Sequence, residues 1–429
     1  MKRLCFVIAL ICAVVLFASL SHAKDVYTVR IQGAINPPVA GFLGECIEKA
    51  GKADAEALVV LLDTPGGLDS SMRDIVKGIM DAPLPVVVYV APPGARAASA
   101  GAIILLASHV AAMAPGTNAG AAHPVSIGKE KTDEVMMKKV VSDAEAYSKS
   151  IAARRGRNVD FAAKAVTESI SITARDALAQ KVIDVVADST DDLLVQMDGR
   201  TVETRKGKVV LRTKGAKKTE IAMPFKFRFL AYVSDPNVAY ILMMIGIYGI
   251  LFEFYSPGTI FPGVIGGISL ILALYAFQAI PISFAGLALI LLGIVFFILE
   301  VKIVSHGLLG IAGIVSVVIG SVMLVDLPGS PLAISFTTIL IVAVISAIFV
   351  FGILSFAVKA QLSRVKTGSE GLLGETGTAR TNITAGGKGK VMVHGELWNA
   401  HSDEAIDEGE EIVVTAMEGL VIKVRKKGG

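Results

Sequence analysis

Between Val238 and Val358 the only charged residues are Glu253, Glu300, Lys302 and Asp326. An apolar run of that length cannot be hidden in a soluble core, and in lipid every backbone N–H and C=O must be satisfied within its own segment. The stretch therefore has to form membrane-spanning helices. Breakers at Ser256-Pro257-Gly258, Pro281, the Glu300–His306 segment and Asp326–Pro331 divide it into apolar runs at about 237–255, 260–280, 282–299, 306–325 and 332–358. Each is near the ~20 residues that cross ~30 Å of hydrocarbon. This predicts a membrane domain over residues 236–358 with about five helices. The second and third runs share only the Pro281 break, so four crossings with a re-entrant hairpin is the alternative count.

The flanks read differently. Residues 1–23 join a basic start (Lys2, Arg3) to an apolar stretch from Leu4 to Leu20 and the small-residue ending Ser21-His22-Ala23. That is the layout of a secretory signal peptide, with an uncleaved anchor as the alternative, and either form exports the domain that begins at Lys24. Over residues 24–228, β-branched runs (Val26–Ile31, Ala57–Leu62, Pro85–Val90, His109–Met113) alternate with helical stretches (Val39–Ala50, Leu68–Asp81, Ala98–Ala107, Asp133–Arg155, Asp160–Thr167, Ala174–Gln180). Fully apolar strands between helices predict an α/β domain with a largely parallel sheet covered on its faces. The basic stretch Arg205–Lys218 reads as a strand pair running into a linker. Residues 366–429 break into Gly377–Thr381, Lys388–His394, Glu396–Ala400, Glu411–Met417 and Val421–Arg425, the pattern of a small all-β barrel of the OB type. Its Trp398 reads as a core or mouth residue before a binding-face aromatic.

Composition narrows the function. Lys and Arg total 41 against 38 Asp and Glu, a net charge of +3, so no basic field argues for nucleic acid. A barrel with one aromatic and many acids is also a poor platform for stacking bases. Cys5 and Cys12 fall in the N-terminal apolar run, which leaves Cys46 alone, and the histidines show no H-x-x-x-H pair. No metal or cofactor is expected.

Two glycine-rich turns stand out in the exported domain as candidates for chemistry. Asp63-Thr64-Pro65-Gly66-Gly67 follows a strand and precedes a helix, where outward backbone N–H groups can hold an anion; a plain turn is the alternative. Gly94-Ala95-Arg96-Ala97-Ala98-Ser99-Ala100-Gly101 follows the next strand and opens a helix. Ser99 there is either a nucleophile with room for a substrate backbone or a helix cap. Parallel strands bring their C-terminal ends side by side, which joins the two turns.

A nucleophilic serine needs a base. His123 lies in an extended loop before Pro124 without an evident orienting partner, and His109 begins a strand and reads as structural. A lysine made neutral by desolvation is the other option. On the helix Asp133–Arg155, Met137, Val140, Val141, Ala144 and Ile151 form the core face, and Lys138 lies opposite among charged residues. Lys139 sits at the border of the buried face, either as a partly desolvated amine or as a surface lysine paired with Asp143 at i+4.

These turns, together with Met113-Ala114-Pro115-Gly116-Thr117, Ala121-Ala122-His123-Pro124 and Gly156-Arg157-Asn158, make a chain that resembles the NfeD-type membrane-bound serine proteases, relatives of the Clp protease and of signal peptide peptidase A. The resemblance covers essentially the whole chain. It implies a Clp/crotonase-like fold for the exported domain and a Ser–Lys dyad. The family's nucleophile falls on Ser99, and its lysine, ten residues before Lys149-Ser150, falls on Lys139 with Lys138 as the alternative. The backbone N–H groups of Gly67 and Ala100 would hold the oxyanion.

The expected activity is that of a membrane-anchored serine endopeptidase cutting apolar segments of membrane-associated proteins, in membrane-protein quality control, as a homo-oligomer with a stomatin-like partner. A catalytically silent scaffold for that partner is the alternative. A transporter would want ionisable residues in mid-membrane, and only Glu253 and Glu300, near span ends, approach that. Five crossings of the cytoplasmic membrane put the protease domain outside and the barrel in the cytoplasm. Lys359, Arg364 and Lys366 after the last span agree with that orientation.

Overall fold

The structure, a computed structural model, describes residues 24–124, 134–255, 260–280, 282–303, 305, 307–325, 333–362 and 369–428. The signal-peptide reading of residues 1–23 and the breakers at Ser256-Pro257-Gly258, Pro281 and Asp326–Pro331 lie outside the described residues. The chain divides into two compact units, one comprising Met1–Leu299 with Ser305–Ala347, the other Glu300–Val304 with Ile348–Gly429.

The first unit opens with β1 (Val26–Gln32), α1 (Pro37–Lys52), β2 (Ala57–Asp63), α2 (Asp69–Met80) and β3 (Val86–Val90). There follow β4 (Arg96–Ala98), α3 (Ala100–Ala107), β5 (Val110–Met113) and β6 (Asn118–Gly120), then α4 (Glu134–Arg154) and α5 (Val159–Thr167). The domain is completed by β7 (Ser171–Thr173), α6 (Ala174–Ala179), β8 (Val185–Val186), α7 (Thr190–Met197), β9 (Thr201–Thr204), β10 (Gly207–Val210) and β11 (Lys218–Glu220).

Six strands pair in the order β11-β1-β2-β3-β5-β8, every pair parallel. Both faces are buried, which explains why β2 reads as a continuous apolar run. Leu58, Val60 and Leu62 pack with α1, α2 and α3 residues such as Phe42, Ile75 and Ile104. Ala57 and Val59 pack with Tyr89, Leu193 and Met197 on the other face.

A second, three-stranded sheet, β4-β6-β7, was not visible in the sequence, because strands of three residues cannot display a period of two. The basic stretch also differs from expectation. Its first part completes the β9–β10 hairpin, but Lys218–Glu220 forms the edge of the main sheet beside β1, and the Ile221 N–H donates to Thr28 O at 2.8 Å. A charged, exposed edge strand carries no apolar signal to announce it.

Helix α8 (Phe225–Val233) then packs on α1 and leads to apolar helices α9 (Pro236–Tyr255), α10 (Phe261–Ala279), α11 (Phe284–Lys302), α12 (Leu308–Leu324) and α13 (Phe336–Leu362). Segments Pro236–Phe254 and Phe261–Gln278 are long and apolar enough to cross a membrane. Helices α9 and α10 approach through Gly249, where a Cβ would lie 2.6 Å from Pro262 O, the small-residue contact expected between helices in lipid.

In the second unit, β12 (Thr376–Ala379), β13 (Lys388–Val393), β14 (Glu396–His401), β15 (Glu411–Glu418) and β16 (Val421–Lys426) close a barrel in the order β12-β13-β14-β16-β15. Trp398 packs against its core, as a barrel residue would.

Candidate active site

The first turn is built around Thr64, which is fully buried at the C-terminal end of β2. Its N–H donates to Arg96 O at 2.8 Å and its carbonyl accepts from Ala98 N at 3.1 Å, so β4 is laid directly beside it. Its hydroxyl accepts from Gly66 N at 3.0 Å and lies 3.1 Å from Gly66 O. Gly66 takes φ +119°, and its carbonyl accepts from Ile35 N at 2.8 Å. A Cβ on Gly67 would fall 2.1 Å from Ile35 O, so only glycine fits there. Among the described residues, the Gly67 N–H donates to nothing.

Ser99 arrives beside this turn. Its N–H donates to Gly120 O at 2.9 Å and its carbonyl accepts from Ala102 N at 3.0 Å. The backbone is held at φ +52°, ψ −117°, a region that non-glycine residues occupy only when the surroundings impose it. The side chain makes no capping hydrogen bond to α3, so the cap reading of Ser99 fails. A Cβ on Gly66 would meet Ser99 Cβ at 2.7 Å and Oγ at 3.2 Å, which puts the first turn's backbone against the serine. Two residues after the serine, a Cβ on Gly101 would reach Thr64 Cγ2 at 2.5 Å, so the helix can start here only with glycine at that position. Ala100, the first residue of α3, likewise has an N–H without an acceptor among the described residues. Ser99, Gly67 and Ala100 are thus brought together, with positive helix-terminal dipole at the serine.

The far end of α3 is fastened by residues that a search for nucleophiles and bases passes over. Arg157, almost fully buried, donates to Leu106 O, to Ser108 O at 2.8 Å and to Asp184 Oδ2 at 2.7 Å. Arg155 Nε donates to Ala107 O at 2.8 Å. Two guanidinium groups therefore satisfy the C-terminal carbonyls of the helix whose N-terminus carries Ser99. The signal was present in Gly156-Arg157-Asn158, but only as part of a resemblance. His109 is structural: its Nδ1 accepts from Val86 N at 3.1 Å, and burial first, then the Arg155 charge, push its imidazole down to about 3. His123 is tied through Nδ1–H to Val166 O at 2.7 Å. Burial raises the Cys46 thiol to about 12, so it is an inert core group.

The lysine side departs from expectation. Lys138 and Lys139 are both exposed, and so are Val135, Met136 and Val140, which are 56%, 53% and 44% accessible. The apolar face of α4 engages the core only from Val141 onward and is fully buried at Ile151 and Ala152. Among the described residues Lys139 is therefore exposed rather than set at a desolvated border, and in the first turns of α4 Met137 is half-buried while its neighbours are open. The i+4 pairing does not hold either. Asp143 is taken by Arg73 of α2 at 2.5 Å, an arginine that also binds Asp69 at 2.7 Å and lies 4.3 Å over the Tyr147 ring. Among the described residues, Lys139 has no ion pair and no hydrogen bond to Ser99. It lines an open depression of about 560 Å³ with Val135, Lys138, Ser142, Asp143 and Ala146.

Three family models match in series: NfeD1b, N-terminal domain, over residues 25–223; NfeD integral membrane domain over 237–356; and NfeD-like C-terminal, partner-binding domain, over 369–426. The membrane-bound protease of Pyrococcus horikoshii is 35% identical over 432 residues, covering 97% of each chain. The chain belongs to the NfeD family of membrane-bound proteases. It is also similar to the membrane protein NfeD1b of Bacillus subtilis, at 25% identity over 70% of this chain and 66% of that one. A solved membrane protease specific for a stomatin homolog, again from Pyrococcus horikoshii, is 34% identical, covers 50% of this chain and 100% of its own, and gives a TM-score of 0.43. The helical membrane region and the closed barrel fall within the residues matched by the second and third family models.

Proposed function

We propose that this NfeD protease is a serine endopeptidase with Ser99 as nucleophile, Lys139 as general base, and the N–H groups of Gly67 and Ala100 as oxyanion donors. The observation that carries the reading is the Ser99 turn: a strained serine at a helix N-terminus, its hydroxyl unused for capping, packed on Gly66 with two N–H groups without acceptors beside it. Ser99 Oγ attacks the scissile carbonyl and gives its proton to the neutral Lys139 amine. The oxyanion sits on the two N–H groups, and the lysine returns the proton to the departing amine. Water then hydrolyses the acyl-enzyme by the same route in reverse.

A lysine serves as a base only when water is kept from it, which calls for cover over the first turns of α4. A second copy of the chain laid on Val135, Met136 and Val140 supplies it, so the working enzyme is a homo-oligomer, a dimer or larger. The substrate is an apolar segment of a membrane-associated protein, and a stomatin-like protein is the partner. The stomatin-homolog specificity of the Pyrococcus protease and the partner-binding character of the matching C-terminal family domain support that choice. The protease domain works outside the cytoplasmic membrane.

The test is cleavage of an apolar peptide by the full chain. Ser99→Ala and Lys139→Ala each lower kcat by about 10³-fold or more, since nucleophile and base act as a unit. Lys138→Ala leaves it within about twofold, as a solvated surface side chain should. Loss with Lys138→Ala and not with Lys139→Ala reassigns the base.

A further inference from the structure

Helix α8 lies between the exported domain and the first membrane helix, and its two faces differ. Phe227 is buried, its ring 5.7 Å from that of Phe42 on α1. On the opposite face, at i, i+4 and i+7, Phe225, Phe229 and Tyr232 are 72%, 40% and 68% accessible, and Phe225 stacks on Phe229 at 5.9 Å. Arg228, exposed, shares that stripe. Three large aromatics and one arginine on an open face are what the headgroup layer of a bilayer accommodates, with rings at the apolar boundary and the cation toward phosphate.

Position supports lipid as the occupant. Val233, the last residue of α8, is buried in one cluster with Ala239, at the start of the first apolar helix, and Ala276, near the end of the second. The stripe therefore ends, at Tyr232, where the start of the first apolar helix and the end of the second come together. Direction follows from two contacts along α1. Lys226 pairs with Glu45 at 3.4 Å, whereas five residues later the Ala231 carbonyl lies 3.4 Å from Asn36 Nδ2. Asn36 caps the start of α1 and adjoins Ile35, the residue whose backbone holds Gly66. The chain thus enters the membrane at the end of the domain that carries the glycine turn.

We infer that α8 is a lipid-interface helix whose Phe225–Phe229–Tyr232 face lies in the headgroup layer and holds the Gly67–Ser99 end of the protease domain toward the bilayer. The lipid contact stands by itself; its meaning for substrate access rests on the proposed serine mechanism. A site held this way reaches segments that leave the membrane close to its surface.

The experiment uses the full chain with Cys5→Ala and Cys12→Ala, in vesicles of phosphatidylcholine and phosphatidylglycerol. Phe229→Cys or Tyr232→Cys carries an environment-sensitive fluorophore. The expected result is several-fold stronger quenching by a nitroxide near the lipid headgroup than of the same dye at Lys208→Cys in the exposed hairpin. Energy transfer to a headgroup acceptor is stronger from Ser70→Cys, at the start of α2, than from Lys52→Cys, at the far end of α1. Absence of lipid quenching at both aromatic positions overturns the proposal. So does transfer between labelled copies without lipid quenching, which makes a second chain the occupant. A reversed order for Ser70 and Lys52 overturns the orientation. None of these readouts depends on cleavage, so loss of the serine mechanism would show separately, as activity surviving Ser99→Ala.

Discussion

Ser99 stands where Thr64, Gly66, Gly120 and the far anchor Arg157 all constrain it within one chain, whereas Lys139 stands on an exposed helix start whose i+4 acid, Asp143, is already held by Arg73. One half of the proposed dyad is over-determined by short backbone hydrogen bonds and obligatory glycines. The other is left to whatever covers α4. A nucleophile can be rigid at all times, but a lysine base is useful only when desolvated, so the proposed dyad would be completed by assembly. In the proposed mechanism, placing the solvent-sensitive partner on the exposed element would link activity to a second copy.

The sharpest way to break this contrast is to charge the uncovered face. Val140→Asp lowers cleavage by roughly 10²-fold or more, the scale of a lost general base. It leaves thermal stability within about 0.5 kcal/mol, as at other exposed positions. Activity per molecule measured over a dilution series, beside the melting curve, decides it. An unchanged rate at all concentrations would mean that Lys139 needs no cover from a second copy.

On the nucleophile side the corresponding change acts on stability. Arg157→Met removes the donors to the Leu106 and Ser108 carbonyls and leaves the partly exposed Asp184 with the Ala111 N–H, which costs about 2–3 kcal/mol by the usual measure of buried acceptors left unpaired. Urea unfolding of the full chain in detergent gives the value. A cost below about 1 kcal/mol would show that Arg155 alone can fasten the end of α3.

A smaller effect comes from pH. His109 binds a proton near its ordinary value when unfolded but only at about 3 when folded, so the unfolded state takes up more protons as pH falls through 6.5. Stability therefore drops on acidification, by about 2 kcal/mol by about pH 5, and is fully present above the unfolded value. His109→Asn flattens this slope, read as midpoint denaturant concentration against pH; an unchanged slope would assign it to other groups.

How much of this was legible beforehand depends on length of signal. Val59 and Val60 announce a two-faced parallel strand by themselves, and the apolar runs from Val238 onward announce helices in lipid. The small sheet was hidden because Arg96–Ala98 and Asn118–Gly120 pair only through tertiary placement. The turn around Ser99 was readable because Gly94 to Gly101 lie together along the chain. The surroundings of Lys139 were not, because periodicity says which face of a helix is apolar but not how many of its turns the rest of the chain covers. Val140 belongs to the apolar face and is still exposed.

The smallest effect tests the rigidity of the nucleophile turn directly. The φ +52°, ψ −117° pair at Ser99 matches the first central position of a type II′ turn, which glycine occupies without a steric penalty and other residues do not. Strain of this kind costs about 1–3 kcal/mol. Ser99→Gly relieves it but adds up to about 1 kcal/mol of chain entropy in the unfolded state, leaving a net gain of about 1 kcal/mol. For a domain of roughly 200 residues that raises the melting midpoint by roughly 2–4 °C. Ser99→Ala keeps the Cβ and with it the strain, so its midpoint stays at that of the parent while both variants lose cleavage. Equal midpoints for Gly and Ala would mean that the surroundings relax around Ser99, and the contrast with the uncovered lysine would then rest on hydrogen bonds alone.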